Sequence, residues 1–350
     1  MMSHLHHPAP SNSPKLHEAP QHTTMQDSFG RSIDYLRISV TDRCNEKCLY
    51  CMPEGYKGWA QRSDHMTADE IIQITDTATR LGFRKFRLTG GEPLVRKDIV
   101  DIARRIWELP GVETLGLSTN ATRLAELALP LKQAGVRSLN ISLDALDPTL
   151  YQRITGGQLQ TVLAGIEAAQ HVGFEVIKLN CVLMHGVNET EFLPLARFAA
   201  DRAMPLRFIE LMPLTRTDVL DTSNFLPVRE VMRYFGLDTG DLLPLDKKNY
   251  HPGHGPAKYY TYRPFNSKLG FIGALTNPHF CESCNKLRLT ADGKLRPCLG
   301  RHGEVALLDA LRHATATPED MLRKAIANKP ENHEFSDCYE PGRPMTAIGG

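Results

Sequence analysis

Between residues 35 and 212 the sequence keeps one rhythm: a short β-branched or apolar run, then a stretch of helical period, then the next run. "YLRISV", "KFRLTG", "VETLGLST", "RSLNISLD", "EVIKLNCVLM" and "PLRFIELM" read as strands. Helices are expected between them. The first carries a capping box, Thr67 with Glu70, places Ile71, Ile74, Ala78 and Leu81 on one face, and stops at Gly82. Others are expected over 97–109, up to residue 133 with Pro130 weakening the last turns, over 158–171 and over 189–202. Strand–helix alternation implies parallel strands joined by right-handed crossovers. Two architectures satisfy this, a partial barrel or an open doubly wound sheet. In both, functional residues gather at the C-terminal strand ends. The ends here are polar or glycine-rich: a cysteine loop, "TGGEP", "STN", "SLD" and Met212.

After Met212 the rhythm breaks. Residues 213–304 are rich in Pro, Gly and Tyr, with short strand-like runs, and two short helices are expected over 305–312 and 318–327, the second capped by Thr317. Residues 1–24 carry five His and four Pro and almost nothing that could enter a core, so a disordered tail is expected. The chain therefore divides into a tail (1–24), an α/β region (25–212) and a C-terminal region (213–350). Lys plus Arg (41) balances Asp plus Glu (40), which argues against nucleic acid or a membrane surface as partner. There is no long apolar run and no signal sequence, so a cytoplasmic protein is expected.

Eight cysteines then become informative, because a reducing compartment favours metal ligation or catalysis over disulfides. "CNEKCLYC" places Cys44, Cys48 and Cys51 in one loop after the first strand. A single-loop trio suits three corners of a [4Fe–4S] cube whose fourth iron stays open to a small molecule. The alternative is zinc with a borrowed fourth ligand such as His65. "CESCNKLRLTADGKLRPC" supplies a second trio, Cys281, Cys284 and Cys298. Cys181 reads as a buried structural cysteine and Cys338 as incidental.

The C-x3-C-x2-C loop after strand one, with "TGGEP" after strand two, resembles the radical S-adenosylmethionine superfamily. "LRISVTDRCNEKCLYCMPEG", "FRLTGGEPLVRKDI", "LNISLDAL", "RFIELMP", "FCESCNKLRLTADGKLRPCL" and "IGG" together resemble its GTP 3′,8-cyclase family. The resemblance runs from about Phe29 to Gly350. It implies an α/β fold: a partial (β/α)6 TIM-type barrel with a C-terminal α+β extension carrying a second iron–sulfur cluster. It also implies two [4Fe–4S] clusters, each on three cysteines, and S-adenosyl-L-methionine as the source of a 5′-deoxyadenosyl radical. The reaction implied is cyclisation of GTP to (8S)-3′,8-cyclo-7,8-dihydro-GTP in molybdopterin biosynthesis.

The same resemblance implies site residues. Cys44, Cys48 and Cys51 would hold the first cluster, and Cys281, Cys284 and Cys298 the second. Tyr50, Gly91, Ser142 and Met212 would contact S-adenosylmethionine. GTP would meet Arg37, Lys85, Arg87, Ser118, Lys178, Arg207, Lys286, Leu287 and Arg288. Gly349 and Gly350 would reach into the active site. Two positions depart from the family pattern: Lys286 stands where Arg is common, keeping the charge without the fork, and Ser118 stands where Thr is usual. Implied partners are an electron donor such as flavodoxin or ferredoxin, the next pathway enzyme (cyclic pyranopterin monophosphate synthase), and a second copy in a homodimer. Two other classes are weighed. Peptide maturases of the superfamily usually carry a longer C-terminal cysteine signature. A passive iron–sulfur or zinc module has no need of "TGGEP" or clustered cations.

Overall fold

The computed structural model describes residues 25–52, 64–215, 220–246, 248, 250, 252–335, 339–340, 342–343 and 345–349. The tail expected over 1–24, Cys338 and Gly350 lie outside the described residues.

The alternation holds through the first half of the chain. In order come β1 (Tyr35–Ser39), α1 (Ala68–Arg80), β2 (Lys85–Thr89), α2 (Ile99–Glu108), β3 (Thr114–Thr119), α3 (Leu124–Gln133) and β4 (Ser138–Ser142). Then come α4 (Pro148–Thr155), α5 (Leu159–Val172), β5 (Val176–Leu183), α6 (Phe192–Asp201) and β6 (Leu206–Glu210). The Thr67–Glu70 capping box is formed at both hydrogen bonds. Pro130 is inside α3, which nevertheless runs three residues further, to Gln133. The sequence reading missed α4, although its punctuation is plain. Asp147 caps it, Pro148 opens it, and Gly156 ends it in the left-handed region at φ 68°.

Beyond residue 212 the chain adds α7 (Val228–Tyr234), β7 (Leu242–Pro244), β8 (Lys258–Tyr262), β9 (Ser267–Ile272), β10 (Lys286–Leu289), β11 (Lys294–Arg296) and β12 (Val305–Ala306). It closes with α8 (Leu307–Arg312), α9 (Pro318–Ala327) and a short α10 (Met345–Ile348). These strands build no separate sheet. They extend the first one at both edges, giving the order β12-β11-β10-β1-β2-β3-β4-β5-β6-β9-β8-β7. From β10 through β9 all pairing is parallel. The outer strands are antiparallel.

Side-chain alternation then sorts the strands into two faces. Leu36, Ile38, Phe86, Leu88, Leu139, Ile141, Leu287 and Leu289 go to the helix-covered core and are fully buried or nearly so. Tyr35, Arg37, Arg87, Asn140, Lys178, Asn180, Arg207, Lys286 and Arg288 go to the other face, and all of them line one cavity. The sheet therefore curls about a polar interior, as a partial barrel does. Among the described residues no helix is long and apolar enough to cross a membrane.

Candidate active site

The cavity has a volume of about 380 Å³, within the range that holds a small ligand. Both cysteine trios line it, and none of the six is in a disulfide. Tyr50, Gly91, Ser142 and Met212 line it, as do Arg37, Arg87, Ser118, Lys178, Arg207, Lys286 and Arg288. The polar strand ends picked from the sequence thus come together in space.

Two of the expected GTP residues do not line the cavity. Lys85 shares the inner face of β2 with Arg87 but stands at the strand's first position, where its Nζ pairs with Asp34 Oδ2 at 2.6 Å. Leu287 alternates to the opposite face of β10 and is fully buried in the core.

The first trio is held by a loop stitched to the end of β2. The N–H of Gly91 donates to the Thr41 carbonyl at 2.8 Å, and that of Glu92 to the Arg43 carbonyl at 2.8 Å. A Cβ on Gly91 would stand within 2.3 Å of that Arg43 oxygen, so only glycine permits the approach. Burial pushes the Cys44 and Cys51 thiols up to about 12. Three buried carboxylates, none of them singled out in the sequence, surround this end. Glu92 accepts from Thr119 Oγ1 at 2.7 Å and from the N–H groups of Leu94 and Asn120. Asp144 accepts from Tyr50 Oη and from the Val182 N–H, both at 2.8 Å. Glu46 accepts from Tyr151 Oη at 2.8 Å. Burial raises Glu46 and Glu92 to about 7 and Asp144 to about 6.

The barrel interior is cationic. Arg87 donates to Tyr35 Oη, the Leu117 carbonyl and Ser138 Oγ. Lys178 donates to the Pro252 carbonyl at 2.7 Å, and Arg207 to Asn180 Oδ1. Arg288 donates to the Gly349 carbonyl at 2.6 Å. These partners are all neutral. Burial, then Arg288, holds Arg37 down to about 9. Burial lowers Arg288 to about 10. Burial, then Arg87 and Arg207, holds Lys178 down to about 6. Mutually repelling buried cations gathered on one wall are the complement of a polyanion. Asn140 Oδ1, buried with no hydrogen-bond partner among the described residues, adds an acceptor.

The donor sets fit iron–sulfur clusters better than zinc. His65, the candidate fourth zinc ligand, instead points Nε2 at Asp42 Oδ1 (3.1 Å). Three thiols on the rim of a ligand-sized cavity are the donors a cube with one open iron requires.

A parallel partial barrel with a three-cysteine loop at the first strand end and a glycine turn at the second defines a radical S-adenosylmethionine protein. Residues 38–199 match the Radical SAM superfamily, and residues 204–335 match Molybdenum Cofactor Synthesis C. The chain is 41% identical over 329 residues to the GTP 3′,8-cyclase of Pelotomaculum thermopropionicum, covering 93% of this chain and 100% of that one. It is 40% identical over 334 residues to that of Desulforamulus reducens, with 93% and 100% covered. The chain belongs to the GTP 3′,8-cyclase family. Among solved structures it resembles Streptococcus suis SuiB bound to precursor peptide SuiA, with TM-score 0.57 and 16% identity over 85% of this chain and 65% of that one. That likeness concerns the fold alone.

Proposed function

We propose that this protein cyclises GTP to (8S)-3′,8-cyclo-7,8-dihydro-GTP by radical S-adenosylmethionine chemistry, in molybdopterin biosynthesis. The observation that carries the reading is the convergence of two cysteine trios and a cluster of buried cations on one cavity. The cofactors are two [4Fe–4S] clusters and S-adenosyl-L-methionine; reductive cleavage of the latter supplies the radical that takes the ribose C3′ hydrogen.

Residues 25–212 form the radical part and 213–350 the auxiliary-cluster part. Cys44, Cys48 and Cys51 hold the first cluster. Tyr50, Gly91, Ser142 and Met212 hold S-adenosylmethionine beside it, with Tyr50 fixed through its hydroxyl by Asp144. Cys281, Cys284 and Cys298 hold the second cluster. Arg37, Arg87, Lys178, Arg207, Lys286 and Arg288 neutralise the triphosphate, and Ser118 offers a hydroxyl. Lys85 and Leu287 act from behind this lining. Lys85 fixes the Asp34 carboxylate, and Leu287 sets the register of β10 against β1. Gly349, at φ 81°, places its carbonyl on Arg288, and a side chain there would press on Ser39 and Thr89. Gly350 is assigned to the active site with it. A strong one-electron donor of the flavodoxin or ferredoxin type, a homodimeric state, hand-over of product to cyclic pyranopterin monophosphate synthase, and a cytoplasmic location complete the reading.

The test is anaerobic turnover of GTP deuterated at ribose C3′. Deuterium in the 5′-deoxyadenosine, read by mass spectrometry, establishes substrate and abstraction site together. Unlabelled 5′-deoxyadenosine, formed equally without GTP, would overturn the substrate.

A further inference from the structure

Lys329 follows α9 and is 4% exposed, yet its ammonium meets no carboxylate among the described residues. Its three donors are all engaged: the Lys286 carbonyl at 2.9 Å, the Pro297 carbonyl at 2.8 Å and Cys284 Sγ at 3.4 Å. Two of these acceptors are neutral. A buried ammonium needs a countercharge, and the one within reach is the sulfur of the second trio. The carbonyls come from the residue that opens β10 and from the residue preceding Cys298, so the backbone that carries the trio also aims the ammonium.

The other two sulfurs of the trio are served by backbone alone, Cys281 by the His333 N–H and Cys298 by the Gly300 N–H. Among the described residues Lys329 is the one side chain that donates to a sulfur of this trio. Lys286 adds a second positive charge beside Cys284. The first trio has different surroundings: Glu46 and Glu92 lie beside Cys44, and Glu46 and Asp144 beside Cys48.

We propose that Lys329 is a positioning residue for the second iron–sulfur centre, which neutralises its Cys284 corner and raises its reduction potential. The proposal rests on the ligand assignment made above. A positive charge and an N–H···S hydrogen bond both favour the reduced, more negative state of a cluster, and removing them lowers its potential.

The test uses the full chain with C44A, C48A and C51A, reconstituted anaerobically so that one centre remains, and titrated potentiometrically with EPR detection. Adding K329Q is expected to shift the midpoint to more negative potential, and K329R, which restores the charge, to bring it back toward the parent. An unchanged midpoint in K329Q at equal iron content overturns the proposal. Loss of the cluster in K329Q with retention in K329R supports it. Loss in both, with circular dichroism unchanged, overturns it, because charge then does not rescue. A parent variant that binds no iron at all would take down the ligand assignment itself, and the role of Lys329 with it.

Discussion

Lys178 lies between Arg87 and Arg207, largely withdrawn from water, and an ammonium placed there is unfavourable until an anion joins it. Burial and the two guanidinium groups hold it down to about 6 in the ligand-free protein, against 10.5 ordinarily. Between those values the unfolded chain binds a proton that the folded chain does not. Lys178 therefore makes the free protein more stable as pH rises through that window, and it destabilises fully below pH 6. A triphosphate reverses the balance and recharges the amine. At pH 8, GTP binding should take up close to one proton, measured by calorimetry in buffers of different ionisation enthalpy. Lys178→Met should abolish the uptake and weaken binding roughly tenfold to a hundredfold, the loss of one charge-assisted hydrogen bond. Equal uptake in the variant would refute the assignment. At this scale the sequence was legible where a residue belongs to a pattern. The cysteines, the glycine turn and the alternating cations fall at recognisable spacings. Glu46 carries no such spacing, and only its burial in the folded chain distinguishes it from a surface group. Lys85 shows the converse, because its period-two relation to Arg87 is real but its place at the strand's first position is invisible locally.

At the level of elements, the loops after β1 and β2 act as one unit. Two backbone hydrogen bonds join them, and Gly91 touches the Arg43 carbonyl. Gly91→Ala must therefore push the first cysteine loop away from β2 while leaving the second trio in place. Anaerobically reconstituted Gly91→Ala should hold about half the iron of the parent, with the deficit at the first trio. Full iron at both would show that the contact is dispensable. Element positions were readable where caps and hydrophobic period agreed, as in α1 and in α9, whose Thr317 capping box forms with Asp320. The short α7 was not foreseen, and the tyrosine-bearing β8 was expected only as one of several short strand-like runs without a place. Helices and strands this short owe their form to packing on neighbours rather than to their own sequence. The Phe208, Phe235 and Phe271 rings that seat them come from three distant segments.

For the whole molecule, the C-terminal region is part of the barrel wall. β10 lies parallel to β1 and β9 lies parallel to β6. A fragment of residues 25–212 would expose both strands as unpaired edges, which readily pair with other chains. Expressed alone it should be largely insoluble, whereas the full chain is recovered in the supernatant after centrifugation. A soluble, monomeric fragment by light scattering would refute this. The pairing was not legible in the sequence, since nothing near Tyr35 announces a neighbour near Lys286.

That last pairing has a consequence in time. β1 leaves the ribosome early, while the strand that covers its free edge is encoded roughly 250 residues later. At synthesis rates of about 5–20 residues per second, β1 waits on the order of ten seconds or more for its neighbour. Contacts so far apart in sequence also close slowly. The nascent chain thus passes through an interval in which the first cysteine trio has been made but the second has not. A cell that inserts iron and sulfur during that interval would be loading a half-walled vessel, so cluster delivery is best timed after β10 has docked.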